Sequence, residues 1–269
     1  MKLTAQHLLT NNASTVLCNI FQRKAYMIQD LHSHTYYSFC GKDAPEEVIE
    51  AAIKGGIKLL GITDHSYGIG MSRPCTLDNP ERLADFQRAL NAYSDHINLL
   101  KEKYASEITI KCGIEIATEN QPYLIMPKGI DLSRFDFCLI ESIASPISVC
   151  EDLFEFADEC GCPVTGIAHT DLPDFLDSKG IDKFEYFSKM AQRGIFWEMN
   201  VNYDSIHKYR EHKYVKDFFE NAELQDTVRR SGLRLSVGFD GHKVEDYLPE
   251  RIQTACQRIT ELKIPLVFE

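Results

Sequence analysis

Two histidines one residue apart carry the first hint of chemistry in this chain. In Asp30-Leu31-His32-Ser33-His34-Thr35 they follow the apolar residues Tyr26, Met27 and Ile28 and leave a short predicted strand at alternate positions. Side chains at i and i+2 of a strand point to the same face, so both imidazoles can converge on one ion. Imidazole suits zinc, iron and similar metals near neutral pH. The same spacing also suits two surface histidines on an exposed strand, and the pair alone does not decide. Further groups of this kind recur in Thr63-Asp64-His65, Gly113-Ile114-Glu115, Ala168-His169-Thr170-Asp171 and Phe239-Asp240-Gly241-His242.

The elements that must position these groups alternate along the chain. After the strand ending at His34, a helix is predicted from near Asp43, with Pro45, Glu46 and Glu47 in its first turn and Gly55 and Gly56 at its end. Proline and acidic side chains favour a helix start and glycine its end. The apolar run 57–63 reads as a buried strand. A long helix over 80–104 carries Leu83, Phe86, Leu90, Tyr93, Ile97, Leu100 and Tyr104 on one face. Strands follow at 108–116, 135–143, 163–168, 195–201 and 233–237, with helices at 149–159, 182–193 and 214–230. A last helix places Ile252, Ala255, Ile259 and Leu262 together, and residues 1–25 read as a helical extension ahead of a domain over 26–269. Seven strands alternating mostly with helices make a parallel α/β sheet. The metal-capable residues fall in or just after the C-terminal parts of predicted strands. A closed barrel gathers those ends on one face, where an open sheet would scatter them, so the expected fold is a distorted (β/α)7 barrel.

Composition narrows the function classes. The chain has 269 residues, 44% hydrophobic and 26% charged, as in a globular protein with a sizeable core. No apolar run approaches the roughly 18 residues of a membrane span, and residues 1–12 lack the layout of a signal peptide. The expected location is the cytoplasm. A net charge of −11 argues against broad nucleic-acid binding. It leaves room for a small phosphorylated substrate whose charge bound cations offset. The nine cysteines have no framework spacing and read as reduced thiols. Cys112 and Cys138 are expected in the core, and the Cys160-Gly161-Cys162 pair in a structural role.

The ordered set DLHSHT, PEEVIEAAIKGGIKLLGITDH, GIE, IAHTD, EMN and GFDGH, across residues 27–245, resembles the PHP family (polymerase and histidinol phosphatase). The resemblance implies a barrel of seven βα units with one to three divalent ions (zinc, iron or manganese) at its C-terminal face. His32 and His34 would share one ion with Glu115 and Asp240, Glu115 would bridge to a second held by His169, and His65 and His242 would hold a third. Asp64 is expected to support His65. The sequence departs from the family pattern in two places. Phe39 and Cys40 stand where an aspartate or histidine is usual; Cys40 could serve as a soft ligand of the third site, but a lone thiol in the apolar setting of Ser38-Phe39-Cys40 is expected to be packed. Ala144 stands in place of a histidine after the fourth strand, so water, Glu141 or Glu198 must replace that ligand.

The resemblance also implies a phosphomonoesterase of the histidinol-phosphatase type, in which a hydroxide held by the ions attacks phosphorus. The candidate catalytic residues are His65, Glu115, Asp171 and Asp240, with Asp171 protonating the leaving group or ordering a water. Lys208 and Arg210, in the basic stretch after the sixth strand, are candidates for holding the substrate phosphate, as is Arg73 on the same rim; a solvated charged loop explains that stretch equally well. His7, His96, His207 and His212 match no motif, and Trp197 is expected to pack beside Glu198. The alternatives are a phosphodiesterase or exonuclease acting on nucleic acid, and a metal-binding protein that has lost catalysis.

Overall fold

Short runs of apolar residues become strands buried on both faces, as expected where helices cover a parallel sheet. The computed structural model describes residues 26–69, 80–121 and 128–269. The expected extension over 1–25 and the candidate Arg73 lie outside them. The strands are β1 (Gln29–Asp30), β2 (Leu59–Ile62), β3 (Thr109–Ala117), β4 (Phe137–Glu141), β5 (Thr165–Ile167), β6 (Phe196–Asn200) and β7 (Leu235–Gly238). They form one sheet in chain order, and every neighbouring pair is parallel. Between them lie α1 (Pro45–Lys54), α2 (Pro80–Lys103), α3 (Leu153–Cys160), α4 (Leu172–Ser178), α5 (Lys183–Gln192), α6 (Lys213–Glu220) and α7 (Ala222–Ser231), with α8 (Pro249–Glu261) after β7.

The sheet closes on itself where β1 meets β7. Leu31 donates its backbone N–H to Val237 (2.8 Å), Asp240 to His32 (2.7 Å) and His34 to Gly241 (2.8 Å). The chain belongs to the expected class, an α/β barrel of seven strands. Leu31, Leu59, Phe137, Leu139, Ala168, Phe196 and Val267 fill a small apolar cluster of their own. Glycine makes room for its rings: a Cβ at Gly166 would lie 2.2 Å from the Phe196 ring. The larger core lies between strands and helices and includes Tyr93, Cys112, Cys138, Trp197 and Phe218.

Three expectations need correction. Regular pairing of the first strand stops at Asp30, well before His34, although a bridge between Ser33 and Gly241 keeps the following residues in the sheet. The expected helix over 214–230 is two helices. Asn221 adopts an extended conformation (φ −105°, ψ 95°) and its side chain accepts from the Leu224 N–H, capping α7. Helix α4 was not expected at all: Asp171 caps it by accepting from the Asp174 N–H, and a proline lies in its first turn. The sequence signal for this helix was the same Asp171 assigned a chemical role.

Candidate metal centre

Residues 31–34 are stapled between β2 and β7. Besides the bonds to β7, Thr63 donates its N–H to Ser33 (2.9 Å). The imidazoles of His32 and His34 enter the barrel mouth with their Nε2 atoms 3.1 Å apart. Each ring is held through its other nitrogen. His32 Nδ1 lies 2.8 Å from Glu198 Oε1, and His34 Nδ1 lies 3.2 Å from Ser38 Oγ. These partners orient the two rings so that both Nε2 atoms face the cluster, the arrangement a metal-binding histidine needs.

Two carboxylates complete this group. Glu115, near the end of β3, places Oε1 3.3 Å from His32 Nε2 and Oε2 3.4 Å from His34 Nε2. Asp240 Oδ1 lies 3.0 Å from His34 Nε2 and 3.5 Å from His32 Nε2. Asp240 reaches in from a left-handed backbone (φ 54°), a conformation that aspartate tolerates better than most residues. All four side chains are buried.

Glu115 also faces two further imidazoles. His169 Nε2 is 3.1 Å from its Oε1, and His65 Nδ1 is 2.9 Å from its Oε2. Glu141, at the end of β4, sits between those rings, 3.3 Å from His65 Nδ1 and 3.9 Å from His169 Nε2. It follows Phe137 and Leu139 on one face of the strand. Of the groups offered in place of the histidine missing at Ala144, Glu141 therefore reaches the cluster directly. Glu198 instead stands behind it, bonded to His32 Nδ1 and to the His169 N–H (2.7 Å).

On the opposite side, the His242 ring stacks on His34 with centroids 4.5 Å apart. The structure thus brings together His32, His34, His65, Glu115, His169, Asp240 and His242. Two neighbours had no sequence signal. Asp204, fully buried after β6, lies 3.5 Å from His242 Nδ1 and 2.9 Å from His207 Nδ1, and His207 Nε2 comes within 3.8 Å of Asp240. From the basic stretch, His207 is the residue that reaches the cluster; Lys208 and Arg210 are exposed, with no hydrogen bond or ion pair to it. His212 stacks on His169 at 6.0 Å. Asp64 supports His65 only indirectly. It accepts from Thr35 N (2.7 Å), Thr35 Oγ1 (2.7 Å) and Ser38 Oγ (2.7 Å), and Ser38 Oγ in turn accepts the His65 N–H (2.9 Å).

Cys40 is not packed in an apolar setting as expected. Its thiol joins His34, His65 and His242, with one ligand-type atom from each lying within 4.8 Å of the others. Burial raises this thiol, but hydrogen bonds to His242 and His65 outweigh it and bring it down to about 7.

The charges of the cluster offset one another. Burial lowers His32, yet Glu115, Glu198 and Asp240 overrule it and hold the imidazole well above its ordinary range. Likewise, burial opposes ionisation of Glu115 and Asp240, but the surrounding histidines hold both carboxyls well below theirs. His169 is raised to about 9 and His242 to about 10 against burial, by Glu115 and Asp204 respectively. His34 goes the other way, to about 3, through burial and its neighbour His65. Buried Glu115 Oε2, Asp204 Oδ2, and Nδ1 of His65 and His242 make no hydrogen bond. Buried polar atoms left without partners call for an ion or water. Histidine nitrogens mixed with carboxylate oxygens are donors for zinc, iron or manganese. The residues therefore fit a divalent-metal centre.

A family description of the PHP domain matches residues 30–263. The chain belongs to the PHP family. Among solved structures, histidinol phosphate phosphatase from Lactococcus lactis, complexed with zinc, L-histidinol and phosphate, is similar at 17% identity and a TM-score of 0.57. The match covers 90% of this chain and 96% of that one and supports the shared fold. A putative histidinol phosphatase from Listeria monocytogenes is 18% identical over 89% of this chain and 93% of its own, with a TM-score of 0.39. No curated protein sequence matches. Family and donor set together make this PHP protein a metal-dependent phosphoesterase. Among the described residues, no helix is long and apolar enough to cross a membrane.

Proposed function

We propose that this PHP protein is a phosphomonoesterase acting on a small phosphorylated metabolite, of the histidinol-phosphatase kind. The observation that carries the reading is the position of Glu115, one carboxylate within 3.4 Å of His32, His34, His65 and His169. Such a group suits adjoining ion sites. In this reading His32, His34, Glu115 and Asp240 hold one ion, Glu115, His169 and Glu141 a second, and His65 and His242 belong to a third.

Divalent ions there would lower the pKa of a water, neutralise phosphoryl oxygens and stabilise the departing alkoxide. The chain's own residues supply position. Glu198 and Ser38 orient the His32 and His34 rings, and His207 stands beside Asp240 where an anionic oxygen can be met. Lys208 and Arg210, exposed on the same loop, are assigned to drawing the phosphate in, with Arg73 a further candidate. Beside His169 lies a cavity of about 290 Å³, lined by Ser142, Ala144, Ser145, Thr170 and Asp171 among others. We assign it to the leaving group, with Asp171 placed to give it a proton. Its hydroxyls and carboxylates suit a polar metabolite, and the small side chain of Ala144 leaves that room. Net charge (−11) disfavours nucleic acid as substrate.

The test is phosphate release from a panel of phosphomonoesters by protein loaded with zinc or manganese, run beside a labelled oligonucleotide. Release from small monoesters, abolished by chelation and restored by metal, is expected. Oligonucleotide degradation with no monoester turnover would replace the reading by a phosphodiesterase.

A further inference from the structure

Three histidines and one thiol meet at the edge of the cluster, and their chemistry differs from that of its centre. Cys40, His34, His65 and His242 each offer one donor atom within 4.8 Å of the rest. His34 already has Nδ1 on Ser38 Oγ and Nε2 against Asp240 and His32. Cys40, His65 and His242 remain.

The same feature at both rings marks this trio as a ligand set. Nδ1 of His65 and Nδ1 of His242 are buried and make no hydrogen bond. Each nonetheless has carboxylate beside it, Glu115 and Glu141 for His65, Asp204 for His242. Carboxylates flanking one imidazole nitrogen orient the ring and raise its basicity as a metal ligand. Cys40 is brought to these rings by the same turn that carries Ser38. The Ser38 hydroxyl donates to Asp64 and accepts from the His65 backbone. Phe39 between them is exposed and stacks loosely on Tyr67 with centroids 6.2 Å apart, so the turn presents the thiol inward and the phenyl outward.

We propose that Cys40, as its thiolate, joins His65 and His242 in a sulfur-containing metal site that selects zinc-like ions over manganese or magnesium. Thiolate is a soft ligand favoured by zinc, whereas hard ions take oxygen. Three protein ligands leave a fourth position of a tetrahedral zinc open, as in catalytic sites. Asp204 and Glu141 then act on the ion through the rings they flank. The proposal rests on the metal-dependent phosphoesterase reading, but its test does not depend on turnover.

The experiment is reconstitution of the full chain with cobalt(II). Sulfur ligation is read from a near-ultraviolet sulfur-to-cobalt charge-transfer band, and nitrogen and oxygen ligation from visible bands. The wild-type protein is expected to show both. Cys40→Ser and Cys40→Asp are expected to keep the visible bands and lose the charge-transfer band. Zinc titration against a competing chelator should show one site weakened by more than roughly 100-fold in Cys40→Ser, since losing an outer-shell partner alone costs about 10- to 100-fold. Zinc should also protect Cys40 from iodoacetamide, read by mass of the modified peptide. Cobalt bound to wild type without a charge-transfer band, a band persisting in Cys40→Ser, or equal alkylation with and without zinc would each overturn the proposal. A sulfur band in protein that hydrolyses no phosphomonoester would sink the phosphatase reading and leave this site standing. Manganese-driven hydrolysis without a sulfur band would do the reverse.

Discussion

Single atoms decide the properties of this centre, and Glu198 is the clearest case. Its two oxygens take the His32 Nδ1 contact at 2.8 Å and the His169 N–H at 2.7 Å, tying the first imidazole to the backbone of the fourth. Gly238 leaves the carboxylate its room, because a Cβ there would fall 2.0 Å from Oε1. Glu198→Ala removes both acceptors and is expected to weaken metal binding about 10- to 100-fold, measured by chelator competition, with Glu198→Gln intermediate. The histidines also predict a pH dependence. Without ions, His169 (about 9) and His242 (about 10) are protonated at neutral pH, while a metal takes only the unprotonated nitrogen. Metal binding should therefore release protons, visible in weakly buffered solution, and tighten as pH rises toward those values. The sign for stability is the opposite. A histidine raised in the folded state lends stability below its unfolded value of about 6.5 and loses it as pH climbs through the folded one. Chelated protein is expected to melt at lower temperature at pH 9.5 than at pH 7, and metal-loaded protein to be less sensitive.

Helix ends carry the argument at the next scale. Asp171 accepts the Asp174 N–H at 3.1 Å and so begins α4, just after His169 and on the wall of the cavity we assign to the leaving group. Two roles for one side chain can be separated by two substitutions. Asp171→Asn keeps an N-cap acceptor but no proton to give. It should leave stability nearly unchanged and lower kcat, most for monoesters with poor leaving groups. Asp171→Ala should in addition lose about 1 kcal/mol of stability through the missing cap, read by chemical denaturation. An equal, small effect of both on kcat would leave Asp171 with its capping role alone. Strand ends matter in the same way. Because Glu141 closes β4 on the face shared with Phe137 and Leu139, the strand's own pleat delivers the carboxylate between His65 and His169.

Across the whole molecule, the barrel gathers groups that are costly to bury without a partner. The centre holds Glu115, Asp240 and Glu198 with at most 4% of their surface exposed, at the mouth of a sheet joined edge to edge by β1 and β7. An ion bound to this arrangement and not to the unfolded chain stabilises it by mass action. At free metal 1,000-fold above its dissociation constant the gain is about 4 kcal/mol for one site. That corresponds to a rise in Tm of roughly 10 °C for a domain of this size. A melting temperature indifferent to zinc and to chelator would contradict a centre built into the fold.

The sequence by itself determined the alternation of strands and helices and put metal-capable groups at the strand ends, and the resemblance to the PHP family singled out the seven that the structure brings together. Those signals are local: apolar runs of strand length, the i, i+2 spacing of His32 and His34, and polar groups placed where strands end. It did not separate α6 from α7 or reveal α4, because a cap at Asn221 or Asp171 looks the same in sequence as a polar surface residue or a catalytic one. Tertiary structure alone decided the company each residue keeps. Glu141 and Glu198 were equal candidates to replace the histidine missing at Ala144 until the pleat and the barrel's closure put one among the imidazoles and the other behind them. His207 and Asp204 had no motif, and Cys40 sat in an apolar stretch of sequence. A turn held by Ser38 and Asp64 brings that thiol to rings 25 and 202 positions further along the chain, at His65 and His242. Contacts between segments so distant depend on how the strands close into a ring, and no local spacing encodes that.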